Sequence, residues 1–247
     1  MNGDIIFIIV LVIIFISSLY RATFGFGDAL IAMPLLALLM NIKIATPIVA
    51  FMGFTVSVFI LLGNREKQNL GKIWQLVVFS IIGIPIGLLF LKGINENVVK
   101  IVLALILIIY SLFSLTYPKL YLKTNKSAFA FGIVSGILGG AYNTNGPPII
   151  MYGTLRKWTP EEFRLLLQGV FLPTNMFIII GHGFAGLWTG DVVKAMLYAL
   201  PTVMVATIIG NILNKRISAE KFEKLVYYFL IGIGSILLIQ AVIKIIN

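Results

Sequence analysis

Apolar runs of membrane-crossing length, broken at two glycine- and proline-bearing stretches, set the pattern of this chain. Asp4 to about Ala22 is long enough to cross a bilayer as a helix, which takes roughly 20 residues. The run stops at Phe24-Gly25-Phe26-Gly27-Asp28, and the next one, Ala29–Met40, has only twelve residues. At about 1.5 Å of rise per residue, such a helix crosses roughly half to two-thirds of the hydrocarbon core. Ile44–Gly63, Ile73–Leu91 and Val98–Thr116 read as full spans, set apart by Asn41-Ile42-Lys43, Asn64–Lys72 and Lys92–Asn97. Pro85 predicts a kink in its span. After a basic connector, Tyr117–Ser127, the pattern restarts. Ala128–Ala141 leads into Tyr142-Asn143-Thr144-Asn145-Gly146-Pro147-Pro148, then a short segment, Ile149–Leu155, and a polar loop, Arg156–Arg164. Spans at about Leu165–Gly181, Val192–Leu213 and Phe222–Ile245 complete the chain.

The halves match in detail. At an offset of 118 residues Phe24–Asp28 falls on Tyr142–Gly146; at 123, Gly87 falls on Gly210 and Lys92 on Lys215. Gly83/Gly87 then aligns with Ala206/Gly210, a small-xxx-small spacing that lets membrane helices approach closely. The chain thus divides into a first transmembrane repeat, 1–116, a basic cytoplasmic connector, 117–127, and a second repeat, 128–247. Each half makes an odd number of net crossings, so the two must be inverted relative to each other. The expected fold is an all-α polytopic membrane protein of two inverted-topology repeats. Each repeat has three full spans plus a spanning helix and a short helix that meet at a Gly/Pro/polar break. The loops Asn64–Lys72, Tyr117–Ser127, Arg156–Arg164 and Asn214–Lys224 carry thirteen lysines and arginines, against five at Lys43, Lys92, Lys100, Lys194 and Lys244. That bias places those loops in the cytoplasm and both termini outside.

Composition agrees. The 247 residues are 60% hydrophobic and 11% charged, where soluble domains run at about 45–50% apolar and about 25% charged. The runs are continuous rather than alternating, which argues against a transmembrane β-barrel. The net charge of +10 lies in short loops between spans, so loop bias explains it better than a nucleic-acid surface. No cysteine is present, which removes disulfides and thiolate metal sites. Met1-Asn2-Gly3-Asp4 lacks a basic n-region, so the first segment reads as a retained helix and not a signal peptide. There is no phosphate-binding loop, no His-Glu metal motif and no serine–histidine–acid spacing, so neither an enzyme nor a cofactor is expected. His182, the sole histidine, sits at the external end of a span and reads as structural. Trp74, Trp158 and Trp188 fall near span ends, as interfacial anchors do.

The candidate chemistry sits at the breaks. Arg21 precedes the first one, and an arginine at a helix centre costs about 2.5–3.5 kcal/mol on insertion scales unless it has a partner or a wet cavity. It either pairs with Asp28, reaches lipid headgroups, or offers its planar donors to an oxyanion; pairing and anion binding coexist if the substrate competes with Asp28. Asp28 is placed to N-cap the short helix, or to carry a coupling proton or cation. Gly25 and Gly27 allow unusual backbone angles, and Gly146-Pro147-Pro148 does related work in the second break. Both short helices therefore aim N-terminal N–H groups at a break, where the macrodipole attracts anions. Asn143, Thr144 and Asn145 either glue helices together or contact a ligand. Gln168 and Asn175 lie seven apart on one helix face, which either lines a pathway or hydrogen-bonds between helices.

Thr23-Phe24-Gly25-Phe26-Gly27-Asp28-Ala29-Leu30-Ile31-Ala32-Met33-Pro34 resembles the first repeat motif of the TauE/SafE family of sulfite exporters and anion permeases. Ser135-Gly136-Ile137-Leu138-Gly139-Gly140, continued through Asn145-Gly146-Pro147-Pro148, resembles the second. The resemblance covers nearly the whole chain; the breaks here carry fewer glycines than in many members, which points to a subgroup. It implies ion-gradient-coupled movement of sulfite, organosulfonates or thiosulfate across a bacterial-type inner membrane. The expected partners are a small anion, membrane lipid and a coupling proton or cation, with no nucleic acid and a homo-oligomer left open. A non-transporting scaffold or accessory subunit and an anion channel are the alternatives.

Overall fold

Every apolar run in the sequence forms a helix. The computed structural model describes residues 3–63, 70–93, 95–116, 122, 124–214 and 220–246. Among them are ten α-helices and no strand: α1 (Gly3–Phe24), α2 (Asp28–Leu39), α3 (Ile42–Leu62), α4 (Trp74–Gly93), α5 (Glu96–Thr116), α6 (Ala128–Tyr142), α7 (Gly146–Leu155), α8 (Pro160–Phe184), α9 (Gly190–Asn214) and α10 (Glu220–Ile246). Five of these, α1, α3, α4, α8 and α9, are long and apolar enough to cross a membrane. Much of the second charge-bearing loop, the central connector and the α9–α10 link (64–69, 117–121, 123 and 215–219) lie outside the described residues, and with them Arg65, Lys67, Lys119, Lys123, Lys215 and Arg216.

The solvation pattern is inverted relative to a soluble domain. Leu89, Ile109, Phe184 and Leu197 project from the surface, whereas Ser17, Ser57, Ser135, Gln168 and Asn175 are buried. In lipid, every backbone group must be satisfied within its helix or by a neighbour, which a polytopic helical protein achieves. α4 runs through Pro85 as one helix.

Packing is led by α4 on α6, α5 on α10, α1 on α9, and α3 against α8 and α9. Close approach explains two of these pairs. A Cβ on Gly83 or Gly87 would run into the carbonyls of Ile133 and Ile137 on α6, and one on Gly136 or Gly140 into those of Ser80 and Ile84 on α4. At the other pair, Gly210 of α9 lies against Ala22 and the Leu19 carbonyl of α1. The two small-xxx-small spacings thus mark two backbone-to-backbone contacts.

Helix ends moved where side chains, rather than polarity, decide them. Arg156–Arg164, expected as a polar loop, is helical from Pro160: Thr159 caps the helix by accepting from Glu162 N, and Pro160 fills the first turn. Arg164 is therefore a helical residue on α8. His182 lies in the last turn of α8, the span-end position expected for it, and is fully buried.

Candidate anion site at the two helix breaks

The first break is made by backbone geometry. Gly25 and Gly27 hold φ of 94° and 96°, left-handed values that a side chain resists. Gly25 N donates to Arg21 O at 2.6 Å and closes α1. A Cβ on Gly27 would also press 2.5 Å from Tyr20 Cε1, so Gly27 packs on that ring instead of lining the polar cluster. α2 then starts at Asp28. Its cap is Gly27, with no side-chain cap bond, so the expectation that Asp28 N-caps the short helix is corrected. The carboxylate is taken by a guanidinium within reach.

That guanidinium is Arg21, 3% exposed beside an Asp28 that is 4% exposed. Arg21 Nη1 donates to Asp28 Oδ2 at 2.7 Å. Arg21 Nη2 donates to Ser57 Oγ at 2.5 Å and to Gln168 Oε1 at 3.0 Å, and the ring of Phe171 lies 4.8 Å from Cζ. Ser57 Oγ also donates to Gln168 Oε1 at 3.2 Å. Gln168 Nε2 donates to the Gly25 carbonyl at 2.6 Å, which ties the break itself to α8. The charges cancel: one cation and one anion, held by neutral dipoles. Such a buried pair is a poor stabiliser but a specific one, since either ion alone is costly.

The second break repeats the helix ends and one of the two left-handed residues, without the charges; Asn145, in the place of Gly27, has φ −70°. α1 ends at Phe24 and α6 at Tyr142; α2 starts at Asp28 and α7 at Gly146, a separation of 118 residues in both cases. Asn143, in the place of Gly25, has φ 54°, and its N–H donates to Gly139 O at 2.8 Å. Glycine 139 stands in the place of Arg21, so only the first break is charged. Asn145 Nδ2 donates to Thr174 Oγ1 at 3.1 Å and to Asn175 Oδ1 at 3.4 Å, and its carbonyl accepts from Ser135 Oγ at 2.8 Å. Asn143 Oδ1 and Thr144 Oγ1 are buried with no hydrogen-bond partner in the protein. Buried polar atoms are rarely left so. Pro147 and Pro148 sit in the first turn of α7 and line an apolar groove with α5 and α6.

Helix α8 joins the two breaks. Gln168 serves the first and Asn175 the second, seven residues or about 10 Å apart along the axis. Phe171, between them, faces Arg21 and would be in van der Waals contact with a Cβ on Gly146. Arg21, Gly25, Asp28 and Gln168 thus form one cluster, with Asn145 and Asn175 in a second beside it. Ser57 and Phe171 belong to the first and were not singled out from the sequence. A further group closes the end of α1: Arg164 Nη2 donates to Ala22 O at 2.7 Å and Asn211 Oδ1 at 2.5 Å, Nη1 to Asn214 Oδ1 at 3.1 Å, and Asn214 Nδ2 to Thr23 O at 2.5 Å. The stem of Arg164 lies against Gly25.

Comparison with known proteins bears on what this geometry serves. A family model described as "Sulfite exporter TauE/SafE" matches residues 9–237. The chain is 24% identical over 234 residues, 90% of each chain, to a protein of Cupriavidus necator named "Probable sulfite/organosulfonate exporter TauE". No solved structure matches.

Proposed function

We propose that this chain, which belongs to the sulfite exporter TauE/SafE family, is a secondary transporter that moves small sulfur oxyanions by alternating access around its two helix breaks. The family is one of multi-pass membrane transporters, not enzymes. The substrate class is sulfite, organosulfonate or thiosulfate, which the name of the Cupriavidus necator relative supports in part. The observation that carries the reading is Arg21: a buried guanidinium at a membrane helix break, balanced by a single carboxylate that a substrate anion can replace.

The cycle follows from charge. With Asp28 on Arg21 the empty site is neutral and closes at low cost. An oxyanion takes the guanidinium when Asp28 lets go, either by swinging aside or by taking a proton. The second route couples anion movement to a proton. Arg21 Nη1 donates to the anion in the place of Asp28 in a charge-assisted bond, Gln168 and Ser57 hold Nη2 and fix the guanidinium, and Asn145, Asn175, Asn143 and Thr144 supply dipoles on the far side. The N-termini of α2 and α7 add N–H groups to the same region.

Alternating access asks for two halves that can exchange roles, and packing supports that. Swapping α1 with α6, α2 with α7, α3 with α8, α4 with α9 and α5 with α10 turns the α1–α9 contact into α6–α4 and leaves the α3–α8 and α5–α10 pairs unchanged. This is the signature expected of repeats 1–116 and 128–247 in inverted topology. In that arrangement, with the charged loops cytoplasmic and both termini outside a bacterial-type inner membrane, the Arg164 group closes the cytoplasmic side of the site. Purified protein in liposomes tests the reading: it should move labelled sulfite, sulfoacetate or thiosulfate saturably, and Arg21→Ala should reduce flux to that of protein-free liposomes. Unchanged transport by that variant would remove Arg21 from the site.

A further inference from the structure

Gly53 lies on α3 one helical turn before Ser57, on the face that meets the charged cluster. A methyl built on its Cα would stand 2.9 Å from Arg21 Nη1, 2.9 Å from Asn175 Nδ2 and 3.2 Å from Asp28 Oδ2. These are the ends of three side chains from three helices, and each is held elsewhere: Arg21 by Ser57 and Gln168, Asn175 by Asn145, Asp28 by Arg21. They meet over bare backbone. Two of the three are nitrogen donors, one from the charged cluster and one from the amide cluster of the second break.

We propose that Gly53 is a specificity-determining residue of the transport site, an assignment that rests on the anion-transport reading above. Its missing side chain lets the Asn175 amide come up to the guanidinium. When Asp28 releases Arg21, both donors are then aimed at a common oxyanion. Two donors approaching from different helices suit a compact pyramidal or tetrahedral oxyanion, which can offer one oxygen to each. A spherical halide carries its charge on one atom with no preferred acceptor directions, so it is held chiefly by the guanidinium charge and gains less from the placement of a neutral amide. A methyl at position 53 parts the donors, and the site loses its two-sided grip while Arg21 keeps Ser57 and Gln168. Alanine is also the better helix former, so the substitution does not weaken α3 as a helix.

The experiment is sulfite transport in proteoliposomes by the wild type, Gly53→Ala, Asn175→Ala and the double variant. The expected result is a KM for sulfite raised at least tenfold by Gly53→Ala, with chloride inhibition no weaker than in the wild type. In the Asn175→Ala background the amide that the methyl would part from the guanidinium is already gone, although the contacts with Arg21 and Asp28 stay, so the same substitution should change KM less than twofold. A wild-type KM in Gly53→Ala, or the same fold-change in both backgrounds, would overturn the assignment and leave the transport reading standing. Absence of sulfur-anion flux by the folded wild type would instead sink the transport reading itself. Should Gly53→Ala not fold, the double variant decides: it should fold and match Asn175→Ala, and its failure would show that Gly53 serves helix packing alone.

Discussion

Asp28→Asn isolates the role of the carboxylate. It keeps the side-chain shape and removes the charge 2.7 Å from Arg21 Nη1, leaving a buried cation without its counter-ion. Breaking a buried pair from one side costs about 3–5 kcal/mol, so the ligand-free variant should melt well below the wild type. Anion binding should change in the opposite direction. Two unit charges about 4 Å apart interact by about 4 kcal/mol at an effective dielectric of 20. In the wild type, an anion gains that much from Arg21 and meets a repulsion of similar size from Asp28. If only a third of the repulsion reaches the bound anion, its removal tightens binding about tenfold. The anion then replaces the lost counter-ion: at a hundred times its Kd it returns about 2.7 kcal/mol of stability. The assay is thermal unfolding of detergent-purified protein against sulfite concentration. The variant should show a lower starting midpoint, a larger sulfite-dependent rise and a tighter apparent Kd. In liposomes it should still exchange sulfite for sulfite, yet lose net flux, because the empty carrier must return with an unpaired charge. Equal or weaker sulfite binding by Asp28→Asn would refute the competition between carboxylate and substrate.

Other expectations follow from single contacts. Gln168→Ala removes a partner of Arg21 and the bond to the Gly25 carbonyl, and hydrogen bonds to charged groups are worth about 1.5–3 kcal/mol each; KM for sulfite should rise at least tenfold in a flux assay. Arg164→Ala frees the Ala22 carbonyl, Asn211 and Asn214 together and should lower the thermal midpoint by several degrees, with Arg164→Lys intermediate. Gly87→Val sets a side chain against the Ile137 carbonyl and should abolish folded yield on size exclusion, whereas Gly93→Val, where a Cβ meets nothing within 4 Å, should be silent.

The breaks were legible because glycine, proline and asparagine have no other reason to interrupt an apolar run, and their 118-residue spacing fell on the helix ends themselves. Gln168 and Asn175 were legible as a pair because helical periodicity puts residues seven apart on one face. Ser57 was not: a serine in a membrane helix more often bonds a carbonyl one turn back, as Ser111 and Ser235 do here, and only tertiary approach distinguishes it. Arg164 was misplaced by reading polarity as loop. Thr159-Pro160 with Glu162 three residues on from Thr159 is a helix start signal, and it would have put Arg164 one turn below Gln168. For Asp28 the pairing with Arg21 was legible and the capping reading was the one that failed: it is a favoured capping residue, but a nearby guanidinium competes with backbone N–H groups for a carboxylate.

Carrier-type transport through Arg21 is read out by counterflow of labelled sulfite in proteoliposomes preloaded with unlabelled sulfite, for the wild type and Arg21→Ala side by side. The wild type should show saturable, trans-accelerated uptake, and the variant none above protein-free liposomes. Uptake that rises linearly with concentration and ignores the internal sulfite, or an Arg21→Ala protein as fast as the wild type, would contradict carrier-type transport through Arg21.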